Sequence, residues 1–145
     1  MQIRRAVPAD SPAVAPLLGQ LGYPTTAADL DARFARVAGS PYDAAWVAVD
    51  GPSGAVAGFA AGHVRSPFEL DAPVAELTAL VVDETQRGTG AGRALVATVE
   101  DWAIAHGCVR ITVSSAFRRE GAHAFYERLG YEQRAKKFDK SLPAS

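Results

Sequence analysis

At 145 residues, with 48% hydrophobic and 21% charged residues, the chain reads as one soluble domain, residues 1–145, with room for one sizeable core. Its net charge of −1 gives no electrostatic case for nucleic acid or a membrane surface, and its single cysteine, Cys108, excludes an intrachain disulfide or a cysteine metal cluster. No long apolar run marks a signal peptide or a membrane span, so the expected location is cytoplasmic.

Residues 3–7 read as a first strand. Pro8 to Pro12 then form a helix start, with Asp10 or Ser11 as N-cap, and Val14, Leu17, Leu18 and Leu21 share one helical face. Gly22-Tyr23-Pro24 ends that helix. Thr26 and Asp29 make a partial capping box for a second helix, which carries Leu30, Phe34 and Val37 and closes at Gly39-Ser40-Pro41. Strands at 45–49 and 55–64 flank a turn at 50–54 and read as a hairpin. A loop at 66–73 leads to a strand at 75–82. A helix at 93–106 follows, with Leu95, Val99 and Trp102 on one face, then a strand at 109–114. Ala122, Phe125, Tyr126 and Leu129 mark a short helix ended by Gly130. One or two final strands span 131–139, and 141–145 read as a frayed tail. The order is β-α-α-β-β-β-α-β-α-β. The unit 75–82, 93–106, 109–114 should be right-handed with parallel strands, giving a mixed sheet covered on both faces.

The glycine turn at 87–93 is the most informative stretch. Gly88, Gly90 and Gly92 let the backbone pass close to a ligand, and the following helix aims its free N–H groups and dipole at the turn. This suits phosphate oxygens, to which Arg87 and Arg93 could add charge. A P-loop fails because Arg93 stands at the second glycine place and no Lys-Ser/Thr follows. A dinucleotide fingerprint fails because the third glycine place is Arg93 or Leu95, and the next strand ends in Ser114-Ser115 rather than an acid. A turn without a ligand leaves three glycines costing roughly 1 kcal/mol each wherever they fall in helical backbone.

Arg87-Gly88-Thr89-Gly90-Ala91-Gly92 matches the pattern Arg/Gln-x-x-Gly-x-Gly/Ala. About thirty residues on, Ala122-His123-Ala124-Phe125-Tyr126-Glu127-Arg128-Leu129-Gly130-Tyr131 matches Ala-x-x-Phe-Tyr-x-x-Leu-Gly-Phe/Tyr. Both segments, in this order and topology, resemble the GNAT family of N-acetyltransferases. The resemblance implies an α/β (α+β) fold: a central, splayed, mixed sheet of six to seven strands with about four helices on both faces. It implies acetyl-CoA as co-substrate and no metal. Its pyrophosphate would lie on Arg87, Gly88, Thr89, Gly90, Ala91, Gly92 and Arg93. Its pantetheine arm would insert between 80–82 and 113–115, meeting Leu80, Val81, Val82 and Ser114. A backbone N–H near Leu80 to Val82 would polarise the thioester carbonyl, a contribution typically of about 2.7–4 kcal/mol.

The same resemblance places Tyr126 as general acid for the departing thiolate; a thiol near pKa ~8.5 and a phenol near ~10 are close enough for the transfer. An acceptor amine near ~10.4 needs about 4.6 kcal/mol to reach its neutral form at pH 7, which argues for a base or a water chain. Glu76 is the leading candidate, expected to share a face with Thr78, and His63 is the second. His123 reads as surface and Cys108 as a small core residue. Arg119 stands where the family often has Asn, so either this segment meets the cofactor differently or Arg118 and Arg119 reach its phosphates. The acceptor pocket would draw on residues 22–25, 66–73 and Arg33, with Tyr23, Phe68, Glu69 and Asp71 as candidate contacts. Three functions stay open on these grounds. The first is acetyl transfer to a small-molecule amine, which the short chain favours, or to a peptide amine. The second is acyl-CoA binding or protein interaction without catalysis. The third is a nucleotide-dependent oxidoreductase. A homodimer is compatible with the family.

Overall fold

The computed structural model describes residues 1–113, 121–134 and 138–144. In chain order these hold β1 (Gln2–Arg5), α1 (Ser11–Leu21), α2 (Ala27–Ala38), β2 (Asp43–Val49), β3 (Val56–Arg65), β4 (Val74–Val82), α3 (Ala91–Ala105), β5 (Ile111–Val113) and α4 (Ala122–Arg128). The sheet runs β1-β2-β3-β4-β5. Every pair is antiparallel except β4 with β5, so the expected parallel unit around α3 is present. The mixed sheet carries helices on both faces, as the order of elements predicts. Its described strands number five rather than six or seven. Residues 131–134 and 138–139 are not in a strand, and 135–137 lie outside the described residues. None of the described helices is long and apolar enough to cross a membrane.

Alternation along the strands builds two cores. Ala45 and Val47 of β2, Phe59 of β3 and Val81 of β4 pack under Val14, Leu17 and Leu18 of α1 and Leu30 and Phe34 of α2. Ala44, Trp46 and Ala48, with Ala60, Ala75 and Leu77, pack against Leu95, Val96, Val99 and Trp102 of α3 and Tyr126 of α4. Trp46 meets Trp102 edge to face at 5.5 Å between ring centroids. Gly62 makes this close approach possible, because a Cβ there would stand 3.0 Å from the Trp102 ring and 3.2 Å from Val99. α1 begins after Asp10 as expected, though no side chain caps it, whereas the expected capping box of α2 is formed. Thr26 Oγ1 accepts from the Asp29 N–H, and the Asp29 carboxylate accepts from the Thr26 N–H, each at 3.1 Å.

One irregularity decides the geometry of the site. Gly62 lies opposite Leu77 and Ala61 opposite Ala79, so Thr78 has no partner on β3 and forms a bulge. The extra residue reverses the alternation of β4. Ala75 and Leu77 face α3, whereas Ala79 and Val81 face α1 and α2. The bulge falls on Thr78 itself, so simple alternation from Glu76 does not fix the face that Thr78 takes.

At the N-terminal edge, both guanidinium Nη atoms of Arg4 grip the buried Asp10 carboxylate at 2.9 Å, and the Val7 N–H adds a third bond at 2.8 Å. The Arg4 hydrogen bond holds the Asp10 carboxyl below the usual range, outweighing the effect of its burial. A depressed folded pKa contributes stability that is present above the unfolded carboxylate value and lost as pH falls through the folded one. Asp10→Asn should therefore cost about 1–3 kcal/mol at pH 7. Urea melts should find the two proteins converging as the pH is taken below 4.

Candidate active site

The glycine turn is positioned from both sides. Asp83, at the end of β4, accepts from Gln20 Nε2 of α1 at 2.9 Å, and Gln20 Oε1 accepts from the Glu84 N–H at 3.1 Å. Thr85 and Gln20, by hydrogen bonding, hold the Asp83 carboxyl below its ordinary range. Gly88 and Gly90 then take φ values of +84° and +88°, the left-handed region that favours glycine. Gly90 is the cap of α3, so the helix begins at Ala91, two residues before the expected start. Its first backbone bond runs from the Ala94 N–H to the Gly90 carbonyl, leaving the first-turn N–H groups of Ala91, Gly92 and Arg93 without a partner among the described residues. The N–H groups of Gly88, Thr89 and Gly90 also find no partner among the described residues. Nothing lies within 4 Å of where a Cβ would stand on Gly88 or Gly90, so both face open space. The turn thus fits a pyrophosphate: consecutive donors, a helix N-terminus and no side chain in the approach.

This turn forms one wall of a cavity of about 460 Å³, within the usual size of a small-molecule site. Leu80, Val81 and Val82 of β4 line it, together with Arg87, Gly88, Gly90, Ala91, Gly92 and Arg93. Thr89 does not line it; its hydroxyl donates instead to the Gln86 carbonyl at 2.7 Å. Ser114, Arg118 and Arg119 lie outside the described residues. The far wall is α4, with Phe125, Tyr126 and Leu129, and Leu21 closes the cavity from α1. Leu21 and Leu129 read in the sequence only as core positions. Gln86 also lines the cavity, and no sequence signal set it apart from its loop.

Tyr126 is 8% exposed and joins the core under α3 while lining the cavity. Its ring packs edge to face on Phe125 at 5.1 Å and on Tyr131 at 5.6 Å. The two tyrosines have different chemistry. Tyr131 donates its hydroxyl proton to Glu100 of α3 at 2.7 Å. Burial first, then that hydrogen bond and the charges around it, push the Tyr131 phenol far above its ordinary value. Tyr131 therefore keeps its proton, and the cavity-lining phenol is Tyr126.

Glu76 and His63 do not line the large cavity. They belong to a row that crosses the sheet on its α1 and α2 face: Asp43 of β2 opposite His63 of β3, His63 opposite Glu76 of β4, and Glu76 opposite Thr112 of β5. His63 Nδ1 lies 2.8 Å from Asp43 Oδ1. A carboxylate oxygen accepts, so Nδ1 is the donor of this bond. Asp43 escaped sequence reasoning because only strand register brings it to His63. Cys108 packs half-buried against the α3 core, and burial raises its thiol pKa. Of the loop residues proposed as acceptor contacts, Phe68 is fully exposed, and Glu69 lines a second, smaller cavity. No group of three His, Cys, Asp or Glu among the described residues is placed to hold a metal ion.

Residues 17–131 match the model of the acetyltransferase (GNAT) family. Glucosamine-6-phosphate N-acetyltransferase from Arabidopsis thaliana superposes with a TM-score of 0.84 at 22% identity, covering 98% of each chain. An aminoglycoside 6'-N-acetyltransferase from Acinetobacter haemolyticus gives a TM-score of 0.82 at 19% identity over 100% of both chains. An acetyltransferase from Trypanosoma brucei gives 0.80 at 24% identity, covering 97% of this chain and 99% of its own. At these identities the likeness is one of fold. No curated protein matches the chain by sequence.

Proposed function

The chain belongs to the GNAT family of acetyltransferases, and we propose from that premise that it transfers the acetyl group of acetyl-CoA to the amine of a small molecule by direct attack in a ternary complex. The observation that carries this reading is that the glycine turn, the end of β4 and Tyr126 all line one cavity. Acetyl-CoA supplies the activated acyl group as a thioester. The N–H groups of Gly88 to Arg93 hold the pyrophosphate, with Arg87 and Arg93 adding positive charge at the rim. Backbone donors near Leu80 to Val82 orient the acyl carbonyl and stabilise charge developing on its oxygen. Tyr126 gives its proton to the departing sulfur. Glu76, with His63 and Asp43 behind it, takes the proton that the attacking ammonium must lose. No step calls for a metal, and Leu21, Phe125 and Leu129 give the cavity apolar walls.

Calorimetric titration with acetyl-CoA and with CoA, followed by a broad amine panel read by thiol release, tests the proposal. Saturable binding of both ligands and amine-dependent thiol release support it. Tight acetyl-CoA binding with no acetylation across the panel would favour a non-catalytic acyl-CoA-binding protein. The cradle has its own test. Gly90→Val forces a β-branched side chain into left-handed backbone, at a cost of roughly 1–2 kcal/mol, and places methyl groups in the phosphate approach. Acetyl-CoA binding should weaken at least about tenfold. A Kd within about twofold of wild type by calorimetry would remove the turn from the binding site.

A further inference from the structure

The sheet face that carries His63 and Glu76 continues one step further along the strands. Arg65 follows His63 by two residues and stands opposite Val74, which precedes Glu76 by two. Arg110 precedes Thr112 by two, and its carbonyl accepts from the Ala75 N–H at 2.9 Å. Alternation keeps all of these on one face. Arg65 and Arg110 thus flank Val74, two strand spacings or about 10 Å apart at their backbones, and about 7 Å along the strands from the Asp43–His63–Glu76 row.

Arg65, Arg110, Val74 and Thr112 line a second cavity of about 110 Å³, closed by Pro67, Glu69 and Leu70 from the β3–β4 loop. That is several times the space one water needs. Neither guanidinium has a hydrogen-bond or ion-pair partner among the described residues, and Glu69 pairs with neither. Elsewhere in the protein, by contrast, the Arg4 guanidinium closes on a carboxylate. Two arginines that pair with no carboxylate among the described residues, lining one cavity with the Thr112 hydroxyl, form a receptor for an oxyanion, to which guanidinium geometry is matched. The carboxylates of Asp43 and Glu76 lie one row away, where they attract an ammonium.

We infer that the acceptor is an amine that also carries an anionic oxygen group, a carboxylate or a phosphate, held by Arg65 and Arg110 while the amine lies over Glu76 toward the Thr78 bulge. This rests on the acetyl-transfer reading and narrows its substrate class. Along β4 the levels fall in a usable order: anion at Val74, proton acceptor at Glu76, acyl carbonyl beyond Thr78. An acceptor with its two charges on the order of 7 Å apart spans the first two levels, with its amine on the side of the anion that faces the third.

The test compares matched acceptors in the thiol-release assay. Amino acids from glycine to 6-aminohexanoate are set against their amides, and phosphoethanolamine against ethanolamine, so the two arms separate carboxylate from phosphate. The charged member of at least one pair should exceed its neutral partner about tenfold or more in kcat/KM. Arg65→Gln and Arg110→Gln should each erase most of that preference through KM, with kcat and the Kd for acetyl-CoA unchanged. Both residues are exposed, and melting curves control for folding. Amines acetylated equally well with and without the anion, or a preference that survives both substitutions, would overturn the inference and leave acetyl transfer standing. Acetyl-CoA binding without turnover of any amine would instead count against acetyl transfer. An independent readout is the arginine Nε–Hε NMR signals, titrated with inorganic phosphate and with acetate. Shifts at Arg65 and Arg110 that saturate support the anion site; their absence overturns it whatever the turnover assay gives.

Discussion

Tyr126→Phe is expected to lower kcat by about 10²–10³-fold, the usual scale for loss of a general acid, while the KM for acetyl-CoA and for the amine changes little. An interaction made only as the thiolate departs lowers kcat and kcat/KM together, whereas a residue that merely shaped the cavity would act mainly on KM. The structure limits which group can take this part. Tyr126 lines the cavity, whereas Tyr131 spends its proton on Glu100 at 2.7 Å and is held strongly in the phenol form. Tyr131→Phe should accordingly cost stability, about 1–3 kcal/mol for a hydrogen bond to a charged partner, and leave kcat within a few-fold. The decisive comparison uses an acetyl thioester of a more acidic thiol. Such a leaving group needs little protonation, so the Tyr126→Phe deficit should shrink with it. A deficit of the same size for both thioesters would show that the lost hydroxyl had a packing or orienting role. Full turnover with acetyl-CoA would remove the acid outright.

The sequence made the helices and the turn readable for a local reason. Val14, Leu17, Leu18 and Leu21 repeat at helical spacing, and Gly88 and Gly90 advertise a backbone conformation that other residues avoid; both signals are complete within a few residues. The pairing of Arg87–Gly92 with Phe125-Tyr126 likewise pointed to one cofactor. The bulge at Thr78 carries no such mark. Leu77, Thr78 and Ala79 suit an unbroken strand, and the extra residue shows only where the adjacent Gly62 and Ala61 choose partners two apart, Leu77 and Ala79, on either side of it in β4's register. Strict alternation thus does not carry from Glu76 through Thr78. The same property hid Asp43, twenty residues from His63, and the alignment of Arg65 with Arg110 across Val74. These are facts of register, and register is set by the packing of whole faces under α1, α2 and α3. The proposed acceptor side was therefore the hardest to read, since its residues come together only across four strands.

Glu76→Gln is expected to lower kcat/KM about 10²–10³-fold near pH 7, and the deficit should narrow as pH rises. An alkyl ammonium must lose a proton before it can attack, at a cost of about 4.6 kcal/mol at neutral pH for a lysine-like amine. Each unit of added pH makes the neutral amine about tenfold more abundant, so an enzyme without its proton acceptor regains ground in alkali. Glu76 is the member of the row that sits on β4, the strand whose far end lines the cavity, and the Thr78 bulge lies between. His63 stands behind it with Nδ1 committed to Asp43. This arrangement separates two ways of taking the proton. With Glu76 as acceptor, His63→Gln and Asp43→Asn cost little at neutral pH, because they only alter the path by which the proton reaches solvent. With His63 as acceptor, those two substitutions carry the large loss and Glu76→Gln the small one. Asp43→Asn also changes which imidazole nitrogen holds the proton, so a catalytic His63 would show it as a moved acidic limb of the rate profile. The relative size of the losses in Glu76→Gln and His63→Gln, measured at one pH with the same amine, therefore assigns the base.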